Sequence, residues 1–236
     1  PCHDPDGDQA HETYRMDMTC RAMVAALLAS GGLLGLAGPA SGDPAAAGSS
    51  FYVVRSDPRL CPSPLCGGHW VALANRARTR CSDGALRPHC YVAKMVDDAR
   101  QPLSANVPSE ALARAAIEGR EFPGFGELGV LVVAEVWKPV GGPAKGDFYR
   151  LRDTGVRCIR APCFSMRAEQ LNRRARVTFS DLDLKPTGAS AEDLALALAL
   201  LGPKGLLAAG RVNTTSNSGR VFRATRIYLR AAKLRA

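Results

Sequence analysis

The sequence predicts an α+β fold made of two tandem, related halves, each a small and mostly antiparallel sheet that carries one helix. Three observations predict it: runs of apolar and β-branched residues typical of strands, two capped segments rich in alanine and leucine that are typical of helices, and a similarity between the two halves of the chain. With 46% apolar and 22% charged residues, the composition excludes a collagen-like or disordered polypeptide.

In the first half, the apolar run CYVAKMVDD, which begins at Cys90, predicts strands. Ser109 is a suitable N-cap, so the alanine-rich segment from Ala111 to Glu118 is predicted to be a helix that ends at Gly119. The valine-rich run from Gly129 to Trp137 then predicts the next strand.

In the second half, the run ARVTFSDLDL predicts strands before a second helix. This helix is predicted to begin at Ser190, with Asp193 in the capping-box position, and to end at Gly202. The segments from Leu206 to Val212 and from Arg220 to Arg230 are predicted to be closing strands. A basic amphipathic helix on a membrane surface is the alternative for the last segment.

The two halves align at a constant offset of 97 residues, over residues 51–75 and 148–172. Six positions are identical, two of them cysteines at the same spacing, and similar elements are predicted downstream in both halves. We therefore expect an internal duplication, with a first half at residues 51–140 and a second half at residues 146–236. The other identical pairs are Phe51 and Phe148, Tyr52 and Tyr149, Arg55 and Arg152, and Asn75 and Asn172.

Residues 18–42 predict a cleaved signal peptide, with one early arginine, an apolar run at residues 22–36 and small residues before a cleavage site after Gly42. An uncleaved membrane anchor is the alternative, but the run is short for a membrane span and a pair of glycines interrupts it. Residues 1–17 are acidic and are predicted to lie upstream of the true start. The mature domain, residues 43–236, is expected to be secreted or periplasmic. Association with the cell surface is a further option.

Six cysteines lie in residues 43–236 and form three close pairs along the chain. In an oxidising compartment we expect each pair to form a disulfide that makes its loop rigid. Zinc held by the first four cysteines with His69 and His89 is the alternative, but the cysteine pair of the second half has no histidine downstream. The predicted disulfides are Cys61 to Cys66, Cys81 to Cys90, and Cys158 to Cys163.

The chain is basic, with 31 Lys and Arg against 22 Asp and Glu and a formal net charge of +9. This charge favours anionic partners: an acidic polysaccharide, lipid head groups or nucleic acid. The simpler interpretation is that the basic residues only keep the protein soluble. Several arginines surround the second and third cysteine loops, and we expect them to cluster if the halves are related by symmetry. The candidate anion-binding residues are Arg76, Arg78, Arg80, Arg157, Arg160, Arg173 and Arg174.

The sequence contains few residues suited to catalysis, and it predicts no catalytic residue, no cofactor and no metal ion. His69 and His89 are the histidines of the predicted mature domain, and both flank predicted disulfides. The segment GFGELG, residues 124–129, matches the dinucleotide-binding fingerprint in letters, but it is predicted to follow a helix and precede a strand, the reverse of the order that such a site needs.

Several of these segments carry a resemblance to a known family. FYVVRSDPRLCPSPLCGGHWV, CSDGALRPHCYVA, GVLVVAEVWKPV and DFYRLRDTGVRCIRAPCFS resemble an uncharacterised family, domain of unknown function 6748, that recurs in predicted exported proteins of myxobacteria. The resemblance covers nearly all of the chain from Phe51 onward. Because the family has no assigned activity, it implies no catalytic residue.

These observations together favour a non-enzymatic exported domain that binds an anionic polymer or another exported protein. An extracytoplasmic hydrolase is one alternative. It requires His69 or His89 to lie within hydrogen-bond reach of a serine, a cysteine or a carboxylate in a cleft. A module that presents CPSPLC or CIRAPC to a protease, as an inhibitor does, is the other alternative. It requires these loops to be exposed.

Overall fold

The computed structural model describes residues 49–103, 106–202 and 204–231. The predicted upstream segment and signal peptide, residues 1–42, lie outside the described residues. The described chain contains fourteen β-strands, one 3-10 turn at Lys185–Thr187 and one α-helix, α1, at Ala191–Ala199. The strands are β1 Ser50–Ser56, β2 His69–Leu73, β3 Thr79–Arg80, β4 Leu86–Arg87, β5 Cys90–Val92, β6 Lys94–Val96, β7 Ala111–Phe122, β8 Gly126–Val140, β9 Asp147–Asp153, β10 Met166–Gln170, β11 Arg176–Phe179, β12 Asp181–Asp183, β13 Leu206–Thr214 and β14 Arg220–Arg230.

The predicted α+β class is wrong, because the fold is mostly antiparallel sheet and the two halves do not each carry a helix. The error lies in the alanine-rich segment after Ser109, which forms β7 and not the predicted helix. This strand pairs with β1 on one side and with β8 on the other. Hydrogen bonding to two neighbouring strands outweighs the small helix preference of its alanines.

Alanine suits β7 because the strand faces a narrow interior. Ala111, Ala113 and Ala115 are completely buried, whereas the alternate residues Arg114 and Ala116 are half-buried on the other face. The interior-facing alanines lie in the same core cluster as the larger side chains of β1 and β8. The small size of alanine therefore suits the packing of this strand. Helix propensity, which depends on the segment alone, takes no account of such packing.

The two halves have the same order of strand pairing. In the first half the order is β5-β2-β1-β7-β8, and in the second it is β11-β10-β9-β13-β14. The strands β6 and β12, which follow β5 and β11, pair in parallel with β8 and β14. Each half of the sheet thus curls back on itself around its own core, which leaves few unpaired strand edges.

The helix predicted in the second half is confirmed. The Ser190 side chain accepts a hydrogen bond from the Asp193 backbone N–H at 3.1 Å and so caps the first turn of α1. Ala197 is buried beside the core of the second half, and α1 contacts β14. The closing strands are also confirmed as β13 and β14, and no described helix is long and apolar enough to cross a membrane.

The segment GFGELG begins in the turn of the β7–β8 hairpin and continues into the first residues of β8, so it follows a strand. The expectation that it follows a helix is therefore wrong, although it does lead into a strand. Gly124 and Gly126 have φ values of +78° and +75°. Residues with a Cβ atom adopt such values at a cost in free energy, so glycine is favoured at both positions of this turn.

A third cluster of apolar residues joins the two halves. Trp137 of β8 packs against Phe51, with ring centroids 5.6 Å apart, and Tyr228 of β14 packs against Phe148 at 6.0 Å. Trp137 and Tyr228 lie on β8 and β14, and these two strands pair with each other through residues Trp137 to Val140 and Ile227 to Arg230. The halves therefore form one continuous sheet with an apolar junction.

Candidate functional site

Two asparagines bind the halves to each other in a reciprocal way, and we call this pair the asparagine clamp. The Asn75 side chain donates to the carbonyls of Phe148 and Leu171 at 2.6 and 3.0 Å and accepts from the Phe148 N–H at 2.8 Å. The Asn172 side chain donates to the carbonyls of Phe51 and Ala74 at 2.7 and 3.0 Å and accepts from the Phe51 N–H at 2.9 Å. Each half thus satisfies the backbone of the other.

Both clamp residues occupy the left-handed region of backbone conformation, with φ values of +59° for Asn75 and +57° for Asn172. Asparagine tolerates this conformation better than most residues do. The next residue in each half extends the clamp, because Arg76 donates to the Asn172 carbonyl at 2.7 Å and Arg173 donates to the Asn75 carbonyl at 2.6 Å. The clamp places these two arginines at the junction.

A groove with a volume of about 870 Å³ lies beside the clamp, and we call it groove 1. Its walls come from β1, β2 and the residues that follow β2, and from the segment that leads into β9. Trp70 and His89 form an aromatic wall, with their rings in an edge-on arrangement 6.4 Å apart. The charged residues that line groove 1 are Arg55, Arg76, Glu110, Asp147, Arg173 and Arg226.

The charged wall of groove 1 contains an ion-paired network. Arg226 donates a hydrogen bond to Glu110, and Arg55 lies 3.6 Å from the same carboxylate. The hydrogen bond from Arg226 lowers the pKa of Glu110, burial opposes this change, and the charge of Arg55 adds to the lowering. Arg55 is exposed, so part of its guanidinium is free to contact a ligand.

Tyr228 lies in the floor of groove 1 and is 1% exposed. Its buried hydroxyl has no hydrogen-bond partner among the described residues. Burial raises the pKa of Tyr228 to about 12, although the Arg226 guanidinium opposes the change. The Tyr228 hydroxyl therefore lies below the surface of groove 1, close to the Arg226 side chain.

A second groove of about 530 Å³, groove 2, includes Asn172 of the clamp in its lining. Several residues that line groove 2 align with residues that line groove 1 at the offset of 97 residues between the halves. Arg150, Glu169 and Arg174 of groove 2 align with Val53, Ala72 and Ala77 of groove 1. The Arg150 guanidinium lies 5.3 Å from the centre of the Phe51 ring. The second half thus places charged residues where the first half has apolar ones.

The three predicted disulfides are confirmed: Cys61 to Cys66, Cys81 to Cys90, and Cys158 to Cys163. The zinc alternative gains no support, because no group of three or more His, Cys, Asp or Glu residues in the described chain is placed to hold a metal ion. Leu60, next to the first ring, and Ile159, within the third, are fully exposed. The exposure that the inhibitor-like alternative requires is therefore present.

The first disulfide ring is anchored by a polar network around Asp57. Asp57 accepts hydrogen bonds from the Arg59 guanidinium at 2.9 Å and from the Trp70 indole N–H at 3.2 Å. The Arg59 guanidinium lies 5.0 Å from the ring centres of both Trp70 and Tyr91 and donates to the Leu65 carbonyl. These contacts lower the pKa of Asp57 to about 2, with the Arg59 hydrogen bond as the largest cause.

The predicted anion-binding arginines occupy three separate places. Arg76, Arg173 and Arg174 line the two grooves. Arg80 lies in β3, and Arg78 directly precedes this strand. Both arginines lie outside the linings of the two grooves. At the third disulfide ring, Arg157 directly precedes Cys158 and is ion-paired with Asp153 at 2.9 Å, whereas Arg160 lies within the ring; both arginines are exposed. The structure brings only the first group together at the junction.

The two histidines occupy different environments. His69 is partly buried in β2, and burial lowers its pKa. Its Nδ1 atom is buried and has no hydrogen-bond partner in the described chain. His89 is exposed on the wall of groove 1 beside Trp70. Neither histidine makes a hydrogen bond to a serine, cysteine or carboxylate among the described residues.

Sequence reasoning missed several residues in or next to the grooves: the groove-lining residues Arg55, Glu110, Arg150, Arg226 and Tyr228, and Arg152 next to Arg150 on β9, are not among the candidates. One signal was present, because Arg55 and Arg152 are identical positions in the alignment of the two halves. Glu110, Arg226 and Tyr228 come to the groove through strand pairings across the whole chain, and short motifs do not report such pairings.

One comparison with known proteins gives a match. The profile of a family described as a domain of unknown function, DUF6748, matches residues 50–233. No curated protein and no solved structure matches the chain. The matched region spans both halves, both grooves and all three disulfides, and the chain therefore belongs to the DUF6748 family of domains of unknown function.

Proposed function

We propose that this domain binds an acidic polysaccharide in groove 1 and catalyses no reaction on it. One observation carries the proposal: an open groove of about 870 Å³ has four arginines on its walls, next to the aromatic wall formed by Trp70 and His89. Arginine is suited to carboxylate and sulfate groups because its guanidinium presents several N–H donors in one plane.

The arginines at the clamp keep donors available for a ligand. Arg76 uses its Nε and one terminal nitrogen on the Asn172 carbonyl, and Arg173 uses its Nε on the Asn75 carbonyl. A guanidinium has five N–H donors, so each side chain is fixed in position and retains further donors. Fixed donors lose little conformational entropy when a ligand binds.

The remaining groups in groove 1 favour a ligand that is rich in hydroxyls as well as acidic. Glu110 and Asp147 are acceptors for hydroxyl groups, and each unit of an acidic sugar chain has several hydroxyls to donate to them, whereas the backbone of DNA has none. Trp70 offers an aromatic surface for the apolar face of a sugar ring. A chain of acidic sugars supplies all three kinds of group at once.

A hydrolase is less well supported by the same groove. A general base needs a nucleophile or water held within hydrogen-bond reach and is usually oriented by another group. His89 packs against Trp70, and the buried Nδ1 of His69 lacks a partner in the described chain. Binding requires neither arrangement.

The proposal is tested by calorimetric titration with oligogalacturonate. A methyl-esterified oligomer of the same length, which is uncharged, is the matched ligand control. We expect the acidic oligomer to bind and Arg55→Gln to weaken it by about five- to tenfold, the loss of one or two charged hydrogen bonds. Arg78→Gln removes the same charge outside the groove lining and is expected to change affinity by less than about twofold. Equal binding of both oligomers, or equal losses in both variants, would contradict the proposal.

We also propose that the protein is exported and acts in a secreted, periplasmic or cell-surface setting. Three disulfides in one small domain support this, because such bonds persist in oxidising compartments. The test is N-terminal sequencing and thiol alkylation of protein from its native host. We expect a chain that begins near residue 43 and no alkylated cysteine, whereas free thiols on a full-length chain would contradict export.

Finally, we propose that the two halves are copies of one ancestral unit. The matching strand orders, the reciprocal asparagine clamp and the bulges at Arg114/Ala115 and Ala209/Gly210 support this. These bulges occur at corresponding points of the β7–β8 and β13–β14 pairings. The test is an alignment of the halves across family members: we expect Asn75 and Asn172 to align throughout, and failure of the halves to align would contradict duplication.

A further inference from the structure

Two arginines, one in the lining of groove 2 and one next to it on the same strand, lack the counter-charges that such side chains usually have. Arg150 and Arg152 lie on β9, two residues apart and therefore on the same face of the strand. Arg150 is half-buried, and the Nε atom of Arg152 is buried without a hydrogen-bond partner. Neither side chain forms an ion pair in the described part of the chain.

The corresponding place in the first half shows what is missing. The pairs Val54–Ala111 and Leu151–Leu206 are equivalent in strand register, so Glu110 corresponds to Gly205, and Arg55 to Arg152. Glu110 and Gly205 both have positive φ, at +63° and +76°. In the first half the carboxylate of Glu110 neutralises Arg55, whereas in the second half a glycine leaves Arg152 without this partner.

Gly205 also allows the two arginines to pack closely together. A Cβ atom at this position would lie 2.7 Å from the Arg150 Cγ and 3.0 Å from the Arg152 Cγ, so the arginine stems fill the space that a side chain would need. Burial lowers the pKa of Arg150, and the positive charge of Arg152 lowers it further, although Glu169 and Glu135 oppose this. Two positive charges are therefore held close together at a cost in free energy.

The nearby carboxylates are already engaged by other arginines. Glu135 accepts hydrogen bonds from Arg114 at 2.8 Å and from Arg230, and Glu169 forms an ion pair with Arg167 at 3.9 Å. The Phe51 ring contacts Arg150 in a cation–π geometry, which uses the guanidinium face and leaves its in-plane N–H donors for an acceptor.

We propose that Arg150 and Arg152 form a binding site for an oxyanion, a sulfate, phosphate or carboxylate group that supplies the missing counter-charge. The site is separate from groove 1 and does not depend on the function proposed there. An oxyanion between two guanidiniums accepts several charge-assisted hydrogen bonds and removes the repulsion between them. Arg152 is half-buried and has no ion pair in the described chain, so the accessible part of its guanidinium is available to the anion while its Nε atom stays buried.

The test follows the arginine Nε–Hε resonances of the full chain by NMR while inorganic sulfate, inorganic phosphate or acetate replaces chloride at constant ionic strength. We expect saturable shifts at Arg150 and Arg152 in the millimolar range or below. The order of affinity among the three anions distinguishes a sulfate, phosphate or carboxylate ligand. Shifts that rise without saturation, or that occur equally at all arginines, would overturn the site.

Three variants refine the test. Arg152→Gln is expected to weaken the favoured anion by about tenfold or more, because a charged hydrogen-bond donor is lost. Glu169→Gln removes a competing carboxylate and is expected to strengthen binding by about twofold or more. Arg120→Gln, an exposed arginine on β7 outside groove 2, should leave the affinity within about twofold of the native value. Equal affinities in all three variants would overturn the proposal.

Discussion

At the scale of single residues, polar side chains in this protein hold the backbone in particular positions. Asp57 accepts from a guanidinium, an indole and a backbone N–H, and in this way holds the chain that enters the first disulfide ring. Asn75 and Asn172 each replace a missing backbone partner in the other half. These side-chain hydrogen bonds fix turns next to the first disulfide ring and the grooves, where the backbone is not paired in a strand.

The Asp57 network predicts a loss of stability in acid. Its pKa is about 2 in the folded protein and 3.8 ordinarily, so its stabilising effect is complete above the ordinary value and disappears as the pH falls from 3.8 through about 2. We expect Asp57→Asn to be less stable than the native protein at neutral pH, with the difference shrinking towards pH 2. Urea unfolding across this range measures it.

Glu121→Gln is the control for this acid experiment, since Glu121 is exposed on β7 and has no ion pair in the described chain. Its free energy of unfolding should follow that of the native protein at every pH. A gap between Asp57→Asn and native protein that stays constant down to pH 2 would contradict the role given to the Asp57 carboxylate.

Tyr228 provides a second test at the residue scale. Tyr228→Phe removes a buried hydroxyl that lacks a partner in the described chain, so we expect the free energy of unfolding to stay the same or to rise by up to about 1 kcal/mol. Because this hydroxyl is buried below the groove surface, the same change should leave oligogalacturonate affinity within about twofold of the native value. Denaturant unfolding and calorimetry measure the two effects. A loss of more than about 1 kcal/mol in the free energy of unfolding would contradict the absence of a partner for this hydroxyl.

At the scale of elements, β7 shows where local sequence misleads. A good N-cap at Ser109 and several alanines predict a helix, yet the segment is a strand because β1 and β8 pair with it on both sides. By contrast, α1 was predictable, since Ser190 caps it as expected and Leu194 packs against the core of the second half, although Leu196 and Leu198 are exposed. The disulfides were predictable because each ring is short and close along the chain.

The groove residues were harder to predict for a physical reason. Groove 1 combines Glu110 before β7, Tyr228 in β14 and Asn75 after β2, and long-range strand pairing alone brings these segments together. The clamp is visible in the sequence only as an identical asparagine in both halves, because Asn75 and Asn172 align with each other. Their role appears only when each is seen to bind the other half.

The strand assignment of β7 predicts which alanines tolerate enlargement. Ala113 is completely buried, and Ala113→Leu is expected to reduce the free energy of unfolding by about 1–3 kcal/mol through overpacking. Ala116 lies on the opposite face and is half-buried, so Ala116→Leu should cost less than about 1 kcal/mol. Denaturant unfolding of both variants measures this difference, and equal effects would contradict the alternation of a strand.

At the scale of the whole molecule, the two curled halves behave as one body in this account. The β8–β14 pairing, the apolar junction and the asparagine clamp all cross between them. Grooves 1 and 2 flank this junction, so the proposed binding surface exists only when both halves are folded and joined. The positive charge of the chain adds long-range attraction for an acidic partner.

The clamp predicts a shared unfolding transition. Asn172→Ala removes three hydrogen bonds and is expected to reduce the free energy of unfolding by about 2–4 kcal/mol. Because Trp70 lies in the first half and Trp137 packs at the junction, tryptophan fluorescence reports the first half and the junction, whereas circular dichroism reports both halves. Coincident transitions by the two methods are expected in the native protein.

Ser218→Ala is the matched control for the clamp, because Ser218 also has a positive φ, +59°, but lies in an exposed turn. We expect it to cost less than about 1 kcal/mol. Separate transitions in the native protein, or equal costs for the two variants, would contradict a junction that couples the halves.

The most direct test of the proposed binding function is an NMR map of backbone amide shifts during titration with oligogalacturonate. The account predicts that the largest shifts occur around groove 1, at Trp70, Asn75, Glu110 and Phe148, and that the third disulfide ring, with its exposed Arg160, shifts little. Small shifts spread over all exposed arginines, or the largest shifts at the Cys158–Cys163 ring, would contradict it.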